Sequence, residues 1–143
     1  MVSLVDYNIG RILQALREQG LEEDTLIMFT NDHGELMGDH GLLFKGPFHY
    51  DCLIKAPMIL QWPGVVPKGA RYNQITEHVD IMPTLLDLAG AAVPYGTQGM
   101  SMAPILRGDQ GAGREYALTE FNCYDWGLSL KTLTGRDYKL TYY

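Results

Sequence analysis

TLIMFTNDHGELMGDHGLLFK, residues 25–45, is where an apolar run stops at a cluster of metal-ligand residue types, and its reading decides the fold. Leu26, Ile27, Met28 and Phe29 lie unbroken between Thr25 and Thr30, which predicts a strand buried on both faces. The residues after Thr30 read as a loop, with glycines at 34, 38 and 41 set among Asp32, Glu35 and Asp39 and the imidazoles of His33 and His40. Ligands in open α/β sheets bind in the crevice beyond the carboxyl ends of the strands. A loop of this composition directly after a buried strand is therefore the place to expect chemistry.

Outward from there, the N-terminal side is helical. Leu4, Val5, Ile9, Ile12, Leu13 and Leu16 recur at three- and four-residue steps and share one helix face, with Gly20 as the C-terminal stop. Helix followed by buried strand is half of a βαβ unit. On the C-terminal side, Met58, Ile59 and Leu60 predict a second short buried strand, closed by a turn at Trp62, Pro63 and Gly64. Asp80 stands where it would cap a helix carrying Leu85, Leu86 and Leu88 as far as Gly90, with Pro83 tolerated in its first turn. Ser101 and Gly108 bracket a further short helix. From Tyr116 the pattern changes to strands over 116–121, 128–133 and 138–143. The last two are joined by a tight turn in which Gly135 would supply a positive φ. The expected architecture is α/β over residues 1–108, followed by a small antiparallel β subdomain over 109–143.

Composition narrows the classes of function. A chain of 143 residues with 46% hydrophobic and 10% aromatic side chains has the means to build a core and is not disordered. The net charge of −6, from 17 acidic against 11 basic residues, comes without any Lys/Arg run that could follow a phosphate backbone, so no nucleic acid partner is expected. Cys52 and Cys123 lie far apart with no C-x-x-C spacing, which supports neither a zinc site nor a disulfide framework and favours a reducing, cytoplasmic compartment. The first residues are amphipathic and charged, unlike a secretory signal, and no stretch is long enough to span a bilayer, so no membrane partner is expected.

Asp32 and His33, at the end of the predicted strand, offer a carboxylate oxygen and an imidazole nitrogen that can both reach a divalent cation. The plain alternative is that Asp32 caps a turn and His33 packs. Lys45 is an ammonium able to neutralise the oxyanion of a sulfate or phosphate, or else a surface charge. Glu35 and Asp39 either brace the ligands by hydrogen bonds or are solvated, and His40 reads as structural. His49 and His78 are acid–base candidates or structural residues, and both cysteines read as packing. A hard cation such as Ca²⁺ takes about six to eight oxygen-type ligands. This chain offers one adjacent pair, so the other ligands must come from elsewhere.

TLIMFTNDHGELMGDHGLLFKG resembles the second signature region of the sulfatase family within the alkaline phosphatase superfamily. Around it, DYNIGRILQALREQGLEEDT, APMILQWPG, EHVDIMPTLLDLAG, GMSMAPILRG and GRDYKL stand in the family's order, so the resemblance covers nearly the whole chain. It implies the C-terminal part of an alkaline-phosphatase-like α/β sandwich with a small antiparallel C-terminal sheet. It also implies metal-dependent hydrolysis of sulfuric esters, with a small-molecule or carbohydrate sulfate ester as substrate. Asp32 and His33 then correspond to metal ligands and Lys45 to the residue that contacts the sulfate. The cation is expected to be Ca²⁺, with Mg²⁺ or Mn²⁺ as alternatives.

The departures from the family pattern matter equally. The family's C-x-P-S-R-like motif, whose Cys or Ser becomes formylglycine, has no counterpart here, nor has its early acidic pair. Cys52 is followed by Leu53 and Ile54, and Cys123 by Tyr124 and Asp125, so neither stands in for the nucleophile. The expectation is a portion whose formylglycine lies in a missing N-terminal half, inactive alone and able to self-associate through an exposed sheet edge. Two alternatives stay open: a phosphate or phosphonate ester hydrolase of the same superfamily, and a stand-alone, non-catalytic metal- or anion-binding module.

Overall fold

The amphipathic period of the first residues folds as helix α1 (Val2–Glu18) in the computed structural model, which describes residues 1–109, 111–123, 125 and 127–143. Gly20, at φ +67, ends the helix: its N–H donates to Arg17 O at 3.0 Å and the Leu21 N–H donates to Leu16 O at 3.0 Å. These paired bonds satisfy carbonyls that the last turn would otherwise leave open. A polar 3-10 turn over Glu22–Asp24 then leads to strand β1 (Ile27–Thr30).

The apolar run is a strand, but not of the kind the sequence predicts. It pairs antiparallel with β2 (Met58–Gln61), Phe29 opposite Ile59, so the two strands are not the parallel pair of a βαβ unit. Nor are these strands buried on both faces: Phe29 of β1 is 42% and Ile59 of β2 61% exposed. The reason is that the β1–β2 sheet has two strands among the described residues, and α1 buries none of its own residues. These elements make up one compact unit, residues 1–30 and 58–70.

The second unit holds residues 31–57 and 71–143. It contains the short helices α2 (Asp51–Ile54), α3 (Ile81–Leu88) and α4 (Ala103–Leu106) and an antiparallel meander, β3 (Ala117–Cys123), β4 (Leu128–Thr134) and β5 (Lys139–Tyr142). Side chains of β3 alternate between part-buried and exposed, as one covered face requires, and the exposed Glu120 pairs across the ladder with Lys131 at 3.1 Å. Leu53, Met102, Ala103, Ile105, Leu106 and Leu130 are buried. Each fully buried Leu or Ile contributes about 1.5–3 kcal/mol.

Two sequence expectations change here. Asp80 precedes α3, yet its carboxylate does not cap that helix. It is 2% exposed and accepts the N–H groups of Glu77 (2.8 Å) and Met100 (2.7 Å), while both of its oxygens bond the Arg114 guanidinium. Glu77 adds a 2.9 Å ion pair to Arg114 and accepts the Leu118 N–H, so one knot joins α3, the chain before α4, and β3. Gly135 has no positive φ among the described glycines. It is needed for room, because a Cβ there would press to 3.1 Å on the Tyr116 ring.

Candidate active site

The loop after β1 in the chain is built by backbone contacts that the sequence alone does not display. The Gly34 N–H donates to Leu53 O of α2 at 2.8 Å, and a Cβ on Gly34 would land on the Cys52 carbonyl. Only glycine passes so close to another backbone. This contact holds His33 beside α2. The His33 N–H donates to Asp32 Oδ1 at 2.9 Å, and Asn31 Nδ2 donates to His33 O at 3.0 Å.

Three predicted site residues come together at the His33 ring. Lys45 Nζ lies 2.9 Å from His33 Nε2, and Asp32 Oδ2 lies 3.5 Å from the same nitrogen. An ammonium has donors only, so Nε2 receives its hydrogen bond and bears a lone pair. The proton of the neutral ring is then on Nδ1, which donates to Gly34 O at 2.7 Å. That fixes the tautomer from the partners alone. The Asp32 carboxyl is held below its ordinary range, first by the His33 N–H it accepts and, more weakly, by the Lys45 charge. Asp32 is therefore ionised at neutral pH.

The flanking candidates go elsewhere. Glu35 accepts the Leu36 N–H (3.0 Å) and Asp39 accepts the His40 N–H (3.0 Å), and Asp39 also meets the Cys52 thiol of α2. Met37 and His40 hold positive φ (49° and 52°), which costs a non-glycine residue about 1–2 kcal/mol. The His40 ring stacks on Tyr50 at 3.8 Å, and Tyr50 stacks on Phe48 at 5.7 Å. His78 lies exposed in a 3-10 turn. Cys52 and Cys123 are free, half-buried thiols.

His49 has a partner that no local spacing reveals. Its Nδ1 is 2.7 Å from the hydroxyl of Thr132 in β4, which is 2.8 Å from the Thr141 hydroxyl in β5. Burial first, and the Lys139 charge second, push the His49 imidazole below its ordinary pKa. Lys139 Nζ donates to His49 O at 2.9 Å and pairs with Asp51. These contacts join residues 83 to 90 positions apart, so sequence reading missed Lys139 and Asp51.

Whether the donors suit a cation can be judged from the same distances. Among the described residues, no group of three or more His, Cys, Asp or Glu side chains gathers to hold a metal. Asp32 Oδ2 and His33 Nε2 do form an edge of 3.5 Å. Two neighbouring ligands on one ion with bonds of about 2.3–2.6 Å have that separation, so the pair fits as two ligands of a larger set. Among the described residues, no helix is long and apolar enough to cross a membrane.

Comparison with known proteins bears on the family and the fold. The family model described as Sulfatase matches residues 1–91. An N-acetylglucosamine-6-O-sulfatase of Bacteroides thetaiotaomicron is 38% identical over 108 residues, 76% of this chain and 19% of the relative. A protein solved in complex with its substrate, D-glucosamine-2-N,6-O-disulfate, superposes with a TM-score of 0.90 at 32% identity, over 98% of this chain and 29% of that one. A phosphonate monoester hydrolase from Silicibacter pomeroyi superposes with a TM-score of 0.83 at 30% identity, over 97% of this chain and 30% of that one. The chain thus spans less than a third of the length of each, and its mixed helices and small antiparallel sheets are a portion of the alkaline-phosphatase-like fold. A match over residues 1–91, together with this likeness of sequence and fold, establishes that the chain belongs to the sulfatase family of the alkaline phosphatase superfamily.

Proposed function

We propose that the whole protein carrying this chain hydrolyses sulfuric esters, and that this chain supplies part of its cation site and part of its anion site. The observation that carries the reading is the meeting of Lys45 Nζ and Asp32 Oδ2 at His33 Nε2. An ionised carboxylate and an imidazole lone pair suit a divalent cation, Ca²⁺ foremost and Mg²⁺ or Mn²⁺ as alternatives, while an ammonium suits a sulfate oxygen. When bound, the cation supplies positive charge where negative charge gathers on the ester oxygens. Asp32 and His33 hold it, and Lys45 donates hydrogen bonds to the anionic group. With Nδ1–H donated to Gly34 O, the neutral His33 ring has one lone pair, on Nε2; given to a cation, it is no longer available to Lys45, whose donors are then free for the anionic group. The nucleophile, formylglycine, belongs to a segment outside these residues.

A sulfated carbohydrate is the substrate class best supported, from the similarity to an N-acetylglucosamine-6-O-sulfatase and to a protein solved with a disulfated glucosamine. The likeness to a phosphonate monoester hydrolase favours, as a second reading, a phosphonate or phosphate ester on the same site. The full-length protein, assayed on matched aryl sulfate, aryl phosphate and aryl phosphonate esters and on glucosamine-6-sulfate, is expected to turn over the sulfates fastest. Faster turnover of the phosphorus esters would replace the first reading by the second.

A further inference from the structure

We infer that Lys139, in β5, is a positioning residue for Lys45: it ties the segment between Lys45 and α2 to the C-terminal sheet and so sets where the Lys45 ammonium lies. The inference rests on the anion-binding role proposed above for Lys45. The segment Gly46–Tyr50 has little regular structure of its own, and its Phe48 N–H folds back on Gly46 O at 2.7 Å. Tyr50 stacks on His40 of the loop at 3.8 Å, and the polar anchors of the segment lie at its far end. Lys139 Nζ holds the His49 carbonyl at 2.9 Å and the Asp51 carboxylate, so one ammonium bridges backbone and side chain across the entrance to α2. The His49 ring is fixed beside it by the Thr132 hydroxyl, which is fully buried and itself bonded to Thr141. β4 and β5 pair directly here, Thr132 opposite Thr141, so the sheet that holds the ring also carries the lysine.

The opposite wall of the site refers to the same anchor. His33 is fixed through the Gly34 N–H to Leu53 O of α2; the chain before Lys45 is held by the Leu42 and Leu43 carbonyls, which accept the Gly38 and Met37 N–H groups, and the chain after it by His49 and Asp51, the latter opening α2. The 2.9 Å contact between Lys45 and His33 thus depends on two arms that share one short helix. The His33 arm is locked by a backbone approach that no rotamer can relax. The Lys45 arm is locked by Lys139. Lys55 also pairs with Asp51 at 2.7 Å, but both side chains are more than half exposed and Lys55 touches no carbonyl of the segment. Lys139 is itself unsuited to bind substrate, since its ammonium is committed to a carbonyl and a carboxylate.

The test is a double-mutant cycle in the full-length protein, reading kcat and KM for an aryl sulfate, cation content and melting temperature for Lys139→Met, Lys45→Ala and the pair. Displacing a group near the reacting atoms by about 1 Å can cost up to roughly 100-fold, so a loss approaching that size in kcat/KM is expected for Lys139→Met with cation retained. The loss should disappear in the Lys45→Ala background and be largely restored in Lys139→Arg. Losses that multiply, as they do for independent sites, would overturn the inference and leave Lys139 a structural residue. A costly Lys45→Ala beside a harmless Lys139→Met would overturn the positioning role alone. A harmless Lys45→Ala would sink the anion-binding reading and the inference with it. If Lys139→Met does not fold, Thr141→Val, which removes the outer end of the hydroxyl relay to His49, replaces it in the cycle. The same loss confined to proteins with Lys45 supports the inference, and an additive or absent loss overturns it.

Discussion

At Gly34 the loop backbone and the Cys52 carbonyl share a space that leaves no room for a methyl group, and the Gly34 N–H spends its hydrogen bond on α2. Gly34→Ala must push two backbones apart, at about 1–3 kcal/mol or more, and should lower the melting temperature while loosening His33. His33→Ala in the full-length protein should abolish cation retention, as elemental analysis would show, because it removes half of the Asp32–His33 edge. Lys45→Ala should leave the cation bound and cut turnover by about 10²- to 10³-fold, the usual cost of one preorganised contact to a reacting oxyanion. At this scale the sequence is informative where partners are near neighbours. Asp32, His33 and Lys45 lie within 13 residues of one another and are legible together. Glu35 and Asp39 look equally eligible on paper but turn to adjacent amides, a choice made by loop geometry.

Among the elements, the knot of Asp80, Glu77 and Arg114 is a largely buried ion-pair network. Burial alone would raise the Asp80 carboxyl, but hydrogen bonds from Arg114, Met100 and Glu77 outweigh it and hold it below the ordinary value. Removing one partner of a buried pair costs about 3–5 kcal/mol, and Arg114→Met should destabilise by that order. The pH dependence has two parts with the same sign. The depressed His49 value means that stability is complete above the usual imidazole value, near 6.5, and falls as pH drops toward the folded value, because the unfolded chain takes up the proton first. The depressed Asp80 value adds a loss that begins near pH 4 and deepens as pH falls through its folded value. Melting temperatures from pH 8 to 3 should show both, and His49→Asn should flatten the first. Helices and strand runs were legible because their periods are local. The antiparallel β1–β2 ladder was not, since its partners stand about 30 residues apart, and the role of Gly135 depends on the ring of Tyr116 across the sheet.

For the whole molecule, the decisive fact is apolar surface left open. Val2, Leu4, Val5 and Ile12 of α1 are all more than half exposed, and the β1–β2 sheet has two strands among the described residues. Open apolar faces and unpaired strand edges drive association. The 143-residue chain by itself is expected to scatter light as an oligomer and to show no aryl sulfate hydrolysis with added Ca²⁺, Mg²⁺ or Mn²⁺. A monodisperse monomer would refute the first expectation and measurable turnover the second. The tie from Lys139 to the His49 carbonyl spans 90 residues and has a consequence during synthesis. At about 5–20 residues per second, His49 is made roughly 5 to 18 s before Lys139, the lysine that fastens the Lys45 loop. For that interval the nascent loop is unfastened and open to proteases and chaperones, and codon choice in the intervening stretch sets how long the exposure lasts.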